Sequence, residues 1–155
     1  LKKFSRWAAW LDRNDLNGVA QNRIGVYALA ISSKDISGEP FSMRKEIRYF
    51  GMTNSLGGLK SRLSSFNRTI HGKKGHGGAR RFKKVHTNPT RLVEKLYVAV
   101  SPTDCVEHRG TPKGLILMGK VAKFEYECMA SYLEAFGKLP RFNRMSSAKD
   151  TSEVE

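Results

Sequence analysis

Acidic residues are missing from the middle of this chain. Between Ile47 and Val93 there is no Asp or Glu, while Arg48, Lys60, Arg62, Arg68, Lys73, Lys74, Arg80, Arg81, Lys83, Lys84 and Arg91 all fall there. One-sign charge of that length points to a polyanionic partner rather than to a self-neutralising surface. Cysteine is scarce: Cys105 and Cys128 are the only two, too few for a disulfide framework or a zinc site. Both read as reduced and partly buried, which points to the cytoplasm. No apolar run is long enough to span a bilayer and no signal-peptide pattern stands out, so no membrane partner is expected. The glycines are not followed by Gly-Lys-Ser/Thr, which excludes a Walker-type phosphate loop. The first residue is Leu rather than Met, so a few residues are expected to precede it.

What is present is a chain of 155 residues with 28 Lys and Arg against 14 Asp and Glu, a net charge of +14. That length suits one domain with a modest core. The charge predicts nucleic-acid binding that weakens steeply with salt; a ribosome-associated or simply solvated basic surface is the plainer alternative. The segment from His71 to Lys84 interleaves glycine with cations and reads as a mobile loop or short helix lying on a phosphate backbone. Lys60, Arg68, Lys73, Lys74, His76, Arg80, Arg81, Lys83 and Lys84 are the candidate DNA contacts.

In chain order, Phe4, Trp7, Ala8 and Leu11 recur at three- and four-residue steps, which predicts an amphipathic helix over residues 1–17. Strands follow at about Arg23–Ile31 and Lys45–Gly51, separated by Ser, Gly, Asp and Pro punctuation. Alternation puts Val26, Ala28 and Ala30 on one face of the first strand, and Gly25, Tyr27, Leu29 and Ile31 on the other. Tyr49 of the second strand can share the face of Tyr27. Leu59, Leu63 and Phe66 then mark the inner face of a helix, with Arg62 at its edge. Leu92–Val100 reads as a third strand. Asp104, Glu107 and His108 sit in an irregular stretch without dependable ligand spacing. Thr111-Pro112 opens a last helix, interrupted or not near Gly119, that runs to Phe136 with Gly137 as its cap. Residues 1–144 would form the single domain and 145–155 a disordered tail.

Wound at about a hundred degrees per residue, the last helix gathers Val121, Ala122, Cys128, Met129, Tyr132, Leu133 and Phe136 on one side. Glu127 and Glu134 fall on the wet side, whereas Glu125 falls amid the apolar residues. A carboxylate there must be paired, protonated or coordinating a cation. Face geometry therefore favours Glu125 over Glu127 as a functional acid.

The ordered set of Gly25-Val26-Tyr27, Tyr49-Phe50-Gly51, Arg62, Glu125 and the Pro140-Arg141-Phe142-Asn143 segment resembles the GIY-YIG nucleases. The resemblance covers most of residues 24–143. Its departures are a long stretch of 21 residues between the two tyrosines and Phe66 where a His or Tyr often stands; His71, or else His76, is the candidate substitute. The resemblance implies a small α/β (α+β) fold with a three-stranded antiparallel sheet flanked by helices. It implies a metal-dependent endonuclease that hydrolyses DNA phosphodiesters, with Tyr27, Tyr49, Arg62, Glu125, His71 and Asn143 as the catalytic set. Glu125 would hold one divalent cation, Mg²⁺ or else Mn²⁺, and no organic cofactor is implied. Tyr27, its pKa lowered by surrounding cations, would accept the proton of the attacking water, and Arg62 would steady the phosphate charge. A restriction or mobile-element role is favoured over repair, in a bacterial or phage setting, with a homodimer possible. The alternative is a non-catalytic basic DNA- or RNA-binding protein that keeps the fold, which predicts Glu125 paired to a Lys or Arg.

Overall fold

The computed structural model describes residues 4–103 and 110–144. Asp104, Cys105, Glu107, His108 and residues 145–155, expected as a disordered tail, therefore lie outside the described residues. The fold is α+β. Its four-stranded antiparallel sheet comprises β1 (Ala8–Ala9), β2 (Gly25–Ile31), β3 (Ile47–Thr53) and β4 (Leu96–Pro102), in the order β1-β4-β2-β3. Around it lie a 3-10 helix (Trp10–Asp15), α1 (Gly58–Ile70), α2 (Gly77–Val85), α3 (Pro89–Lys95) and α4 (Pro112–Phe136). No helix among the described residues is long and apolar enough to cross a membrane.

The strand count exceeds the three expected because the N-terminal segment is not an amphipathic helix. Ser5 donates its N–H to the Val100 carbonyl at 2.7 Å, Ala8 and Ala9 pair with Val98 and Tyr97, and Trp7 donates to the Glu39 carbonyl at 3.0 Å. An extended chain sends Trp7 into one core and Trp10 into the other, whereas a helix would have buried Leu11, which is 76% exposed. A second correction concerns Leu92–Val100. Asn88 caps a helix by accepting the Arg91 N–H on its side chain, with Pro89 in the first turn. Helix α3 therefore takes residues up to Lys95, and the strand begins only at Leu96.

Alternation along β2 works as the residue pattern demands. Tyr27 and Leu29 join the core beneath α1, α2 and α3, with Leu59, Leu63, Phe66, Ala79 and Phe82. Val26, Ala28 and Ala30 join the opposite core with Phe50, Cys128, Met129 and Tyr132, where α4 packs. That helix is uninterrupted at Gly119. Thr111 caps it by accepting the Gly114 N–H at 3.0 Å, and Gly137 ends it at φ +75°. Leu133, expected inside, is 46% exposed. Each layer thus buries an apolar face against one sheet, at about 25 cal/mol per Å² of apolar surface removed from water.

Candidate active site

The site forms around the sheet edge at β3. Tyr27 of β2 stands opposite Gly51 of β3. Its ring lies across that neighbour, where any Cβ at residue 51 would overlap the Tyr27 ring and hydroxyl. Glycine at 51 is therefore what lets the phenol reach towards the edge. Tyr49 shares that face, its ring centroid 6.0 Å from Tyr27. Gly78 of α2 gives Tyr49 its room: a Cβ there would sit 2.6 Å from the ring carbon that bears the hydroxyl.

Of the two forms expected for the basic, glycine-rich segment, Gly77–Val85 takes the short helix. Gly78, Ala79 and Phe82 are buried on one face of α2, while Arg80, Lys83 and Lys84 stay exposed. Its N-cap is His76, fully buried rather than on a surface for DNA. Nδ1 of His76 accepts the Ala79 N–H at 3.2 Å, and Nε2 lies 2.7 Å from the Tyr27 hydroxyl. Burial, aided by Arg62 and Arg81, holds the His76 pKa down to about 3, so the ring is neutral near pH 7. A neutral imidazole that accepts at Nδ1 carries its proton at Nε2. His76 thus donates to the Tyr27 oxygen and leaves the tyrosine's own proton free to point elsewhere.

His71 is exposed, its Nδ1 2.7 Å from the Asn67 carbonyl. It takes no part in this cluster; the histidine here is His76, whose ring centroid lies 5.2 Å from that of Phe66. Arg62 borders the cluster half-buried, its Nε out of solvent and without a partner. The expected lowering of the tyrosine pKa does not occur. Burial raises Tyr27 well above 10, helped by Tyr49, and Arg62 opposes it without prevailing. Tyr49 is raised likewise by burial against the pull of Arg62.

From the opposite layer comes Glu125. Helix α4 brings it to a hollow of about 160 Å³ shared with Tyr49, Arg81, Tyr126, Asn143 and Arg144. Burial lifts its pKa to about 7, against the lowering influence of Arg62. Among the described residues Glu125 has neither an ion pair nor a hydrogen bond, while Glu127 lies on the wet side, 3.9 Å from Lys123. No family model, curated protein or solved structure matches this chain.

Asn143 lines the same hollow, but its amide is engaged. It accepts the Phe50 N–H and donates to the Phe50 carbonyl, both at 2.8 Å. With Phe142 donating to the Arg48 carbonyl at 2.9 Å, this segment seals the outer edge of β3. Arg81 is held there by its Nε bond to the Phe142 carbonyl at 2.7 Å. Of the remaining basic candidates, Lys60, Arg68, Lys73, Lys74, Arg80, Lys83 and Lys84 are exposed. Tyr126 and Arg144 belong to the hollow although no motif marks them. The sign that α2 is anchored was Phe82 three residues after Ala79 within the basic run. The capping role of His76 carries no sequence signal, since histidine is not a favoured cap.

The donor set can be weighed against a cation. No group of three or more His, Cys, Asp or Glu side chains converges among the described residues, which does not fit a protein-built cage. A single partnerless carboxylate opening on solvent fits one hard cation that keeps most of its waters, as Mg²⁺ does. With one acid, a two-metal arrangement does not fit.

Proposed function

We propose that this chain is a DNA endonuclease of the GIY-YIG kind, hydrolysing a phosphodiester beside Glu125. The observation that carries the reading is a half-buried carboxylate without a partner, facing two phenols and a guanidinium drawn from distant parts of the chain. A structural ion pair would have used that acid up. A cation held by Glu125 would supply charge neutralisation at the scissile phosphate and its leaving oxygen.

The protein's own groups do the rest. Arg62 stabilises the charge that grows on the phosphate oxygens; its Nε is buried without a partner, and its guanidinium acts on both Tyr27 and Glu125. Tyr27 in its phenolate form accepts the proton of the attacking water. His76 donates to that oxygen and so favours the phenolate, while burial makes this form scarce at neutral pH. The rate of cleavage therefore rises with pH through the alkaline range. Asn143 is a positioning residue: it fixes the β3 edge and one wall of the hollow. The basic face of α2 and the exposed cations of α1 hold the phosphate backbone on the side of Arg81. The long hairpin between Tyr27 and Tyr49 and the basic α2 favour a restriction or mobile-element role.

The test is plasmid and single-stranded DNA incubated with Mg²⁺, using the wild type, Glu125→Gln and Arg62→Ala. Loss of cutting in both variants with gel-shift binding retained is the expected result. Tight binding by the wild type with no cutting under any divalent cation would make the chain a binding protein instead. Undiminished cutting by Glu125→Gln would remove the acid from the mechanism.

A further inference from the structure

The hollow at Glu125 has a wider neighbour. This is a cleft of about 830 Å³, lined by Lys45, Arg48, Lys138 and Arg141 with Tyr132 and Phe136 among its apolar walls. These four cations come from three separate places: the approach to β3 and β3 itself, the exit of α4, and the segment that seals the β3 edge. They form no run in the sequence, and the fold is what brings them together.

None of these four is in an ion pair with another described residue. Arg48 donates to the Lys45 carbonyl and the Arg141 guanidinium lies 5.5 Å from the Phe142 ring, so their positions are partly fixed, and of the four only Arg48 draws on a nearby carboxylate, that of Glu46. The nearest acid in sequence, Glu46, is held by Arg44 at 3.1 Å and does not line the cleft. Four like charges around one opening repel one another, an arrangement that a bound polyanion relieves.

The cleft continues the hollow at Glu125. Met129 lines the hollow and Tyr132 the cleft, one turn further along α4. Arg48 precedes Tyr49 on β3, and Arg141 stands two residues before Asn143. Arg81 of α2 also lines the hollow, its Nε on the Phe142 carbonyl beside Arg141. A strand passing Glu125 thus meets cations both in the hollow and in the cleft.

We infer that the Lys45–Arg48–Lys138–Arg141 cleft is a second phosphate-binding subsite, which takes the DNA backbone on the α4 side of the reacting phosphate. The inference rests on the proposed polynucleotide substrate, but it concerns binding and does not need cleavage. Phe136 offers an apolar surface for sugar and base edges; the four cations take the phosphates and so carry no sequence preference.

The probe is a fluorescein-labelled DNA duplex titrated by anisotropy from 50 to 200 mM KCl. All proteins carry Glu125→Gln so that nothing is cut. The variant is Lys45→Gln with Lys138→Gln, two exposed side chains whose loss leaves the core untouched. Each lost phosphate contact lowers the log–log salt slope by about 0.9, so two lower it by about 1.8. Across that salt range the parent then loses about tenfold more affinity than the variant. A slope equal to the parent's, in a variant with unchanged circular dichroism and melting temperature, overturns the inference. A second arm titrates inorganic triphosphate. Micromolar binding lost in the variant, with the DNA slope unchanged, would make the cleft a small-polyanion site and would equally overturn it. A reduced slope in a chain whose wild type never cuts DNA keeps the subsite while refuting the nuclease reading.

Discussion

Removing the carboxylate at 125 is expected to make this protein more stable, and most of all above the pH at which the buried acid ionises. Glu125 holds its proton more tightly folded than unfolded, its pKa lifted from 4.5 to about 7 by burial. The folded state therefore loses stability relative to the unfolded chain as pH rises through that window, and the loss is complete above it. At 1.36 kcal/mol per pH unit the penalty reaches at most about 3 kcal/mol. Glu125 opens on solvent, and screening leaves about 1–2 kcal/mol. For a chain of this size that is about 3–6 °C in melting temperature. Glu125→Gln, which keeps the shape and discards the charge, should melt above the wild type by that amount at pH 8. The gain should shrink to less than half at pH 5. His76, held neutral by burial, loses stability in the opposite direction as pH falls, but it is common to both proteins and cancels in their difference. Adding Mg²⁺ at pH 8 should raise the wild type by about 1.4 kcal/mol at ten times its dissociation constant and leave Glu125→Gln unmoved. Differential scanning fluorimetry across pH, with and without the cation, measures all of this. A Glu125→Gln protein less stable than the wild type at pH 8, or a gain equal at both pH values, would refute the claim that Glu125 is a strained, partnerless acid.

Other consequences can be checked as directly. Between pH 8 and pH 6 the ionised fraction of Glu125 falls about tenfold, so the apparent Mg²⁺ affinity should fall likewise and the acid limb of activity should move to lower pH as Mg²⁺ is raised. Gly51→Ala drives a methyl into the Tyr27 ring and should cost about 1–3 kcal/mol and most of the cleavage, read by melting and plasmid nicking. Asn143→Asp cannot donate to the Phe50 carbonyl and should destabilise by about 1–3 kcal/mol, measured by urea unfolding. Tyr27→Phe should keep the fold and abolish the alkaline rise in rate, whereas His71→Ala should change neither.

How far the sequence could be read depended on whether neighbours along the chain or across the fold decided the outcome. Alternation along β2 is local, and it assigned Tyr27 and Val26 to their proper layers. The Thr111 cap, the Gly137 stop and the face of Glu125 are also local, and all were legible. The N-terminus was not, because Ala8 and Ala9 are captured by β4 about ninety residues away, which overrides a helical spacing of Trp and Leu. The choice between His71 and His76 stayed open for a similar reason. Both lie in the same Lys/Gly-rich stretch, and only the docking of Phe82 under Tyr49 turns one of them inward. Likewise, counting cations along the central run cannot reveal a cleft whose charges come from two stretches about ninety residues apart.

The sheet edge at β3 has a consequence for what a half-folded copy would do. The phenols, the imidazole and the guanidinium ride on one layer, and the acid arrives on α4 from the other. Opening of α4 alone, a smaller event than global unfolding, would withdraw the acid while α1 and α2 still presented their cations to a duplex. If the proposed nuclease reading holds, such a molecule would grip DNA and leave it whole, so damage to the α4 layer is expected to yield inert competitors rather than indiscriminate cutters.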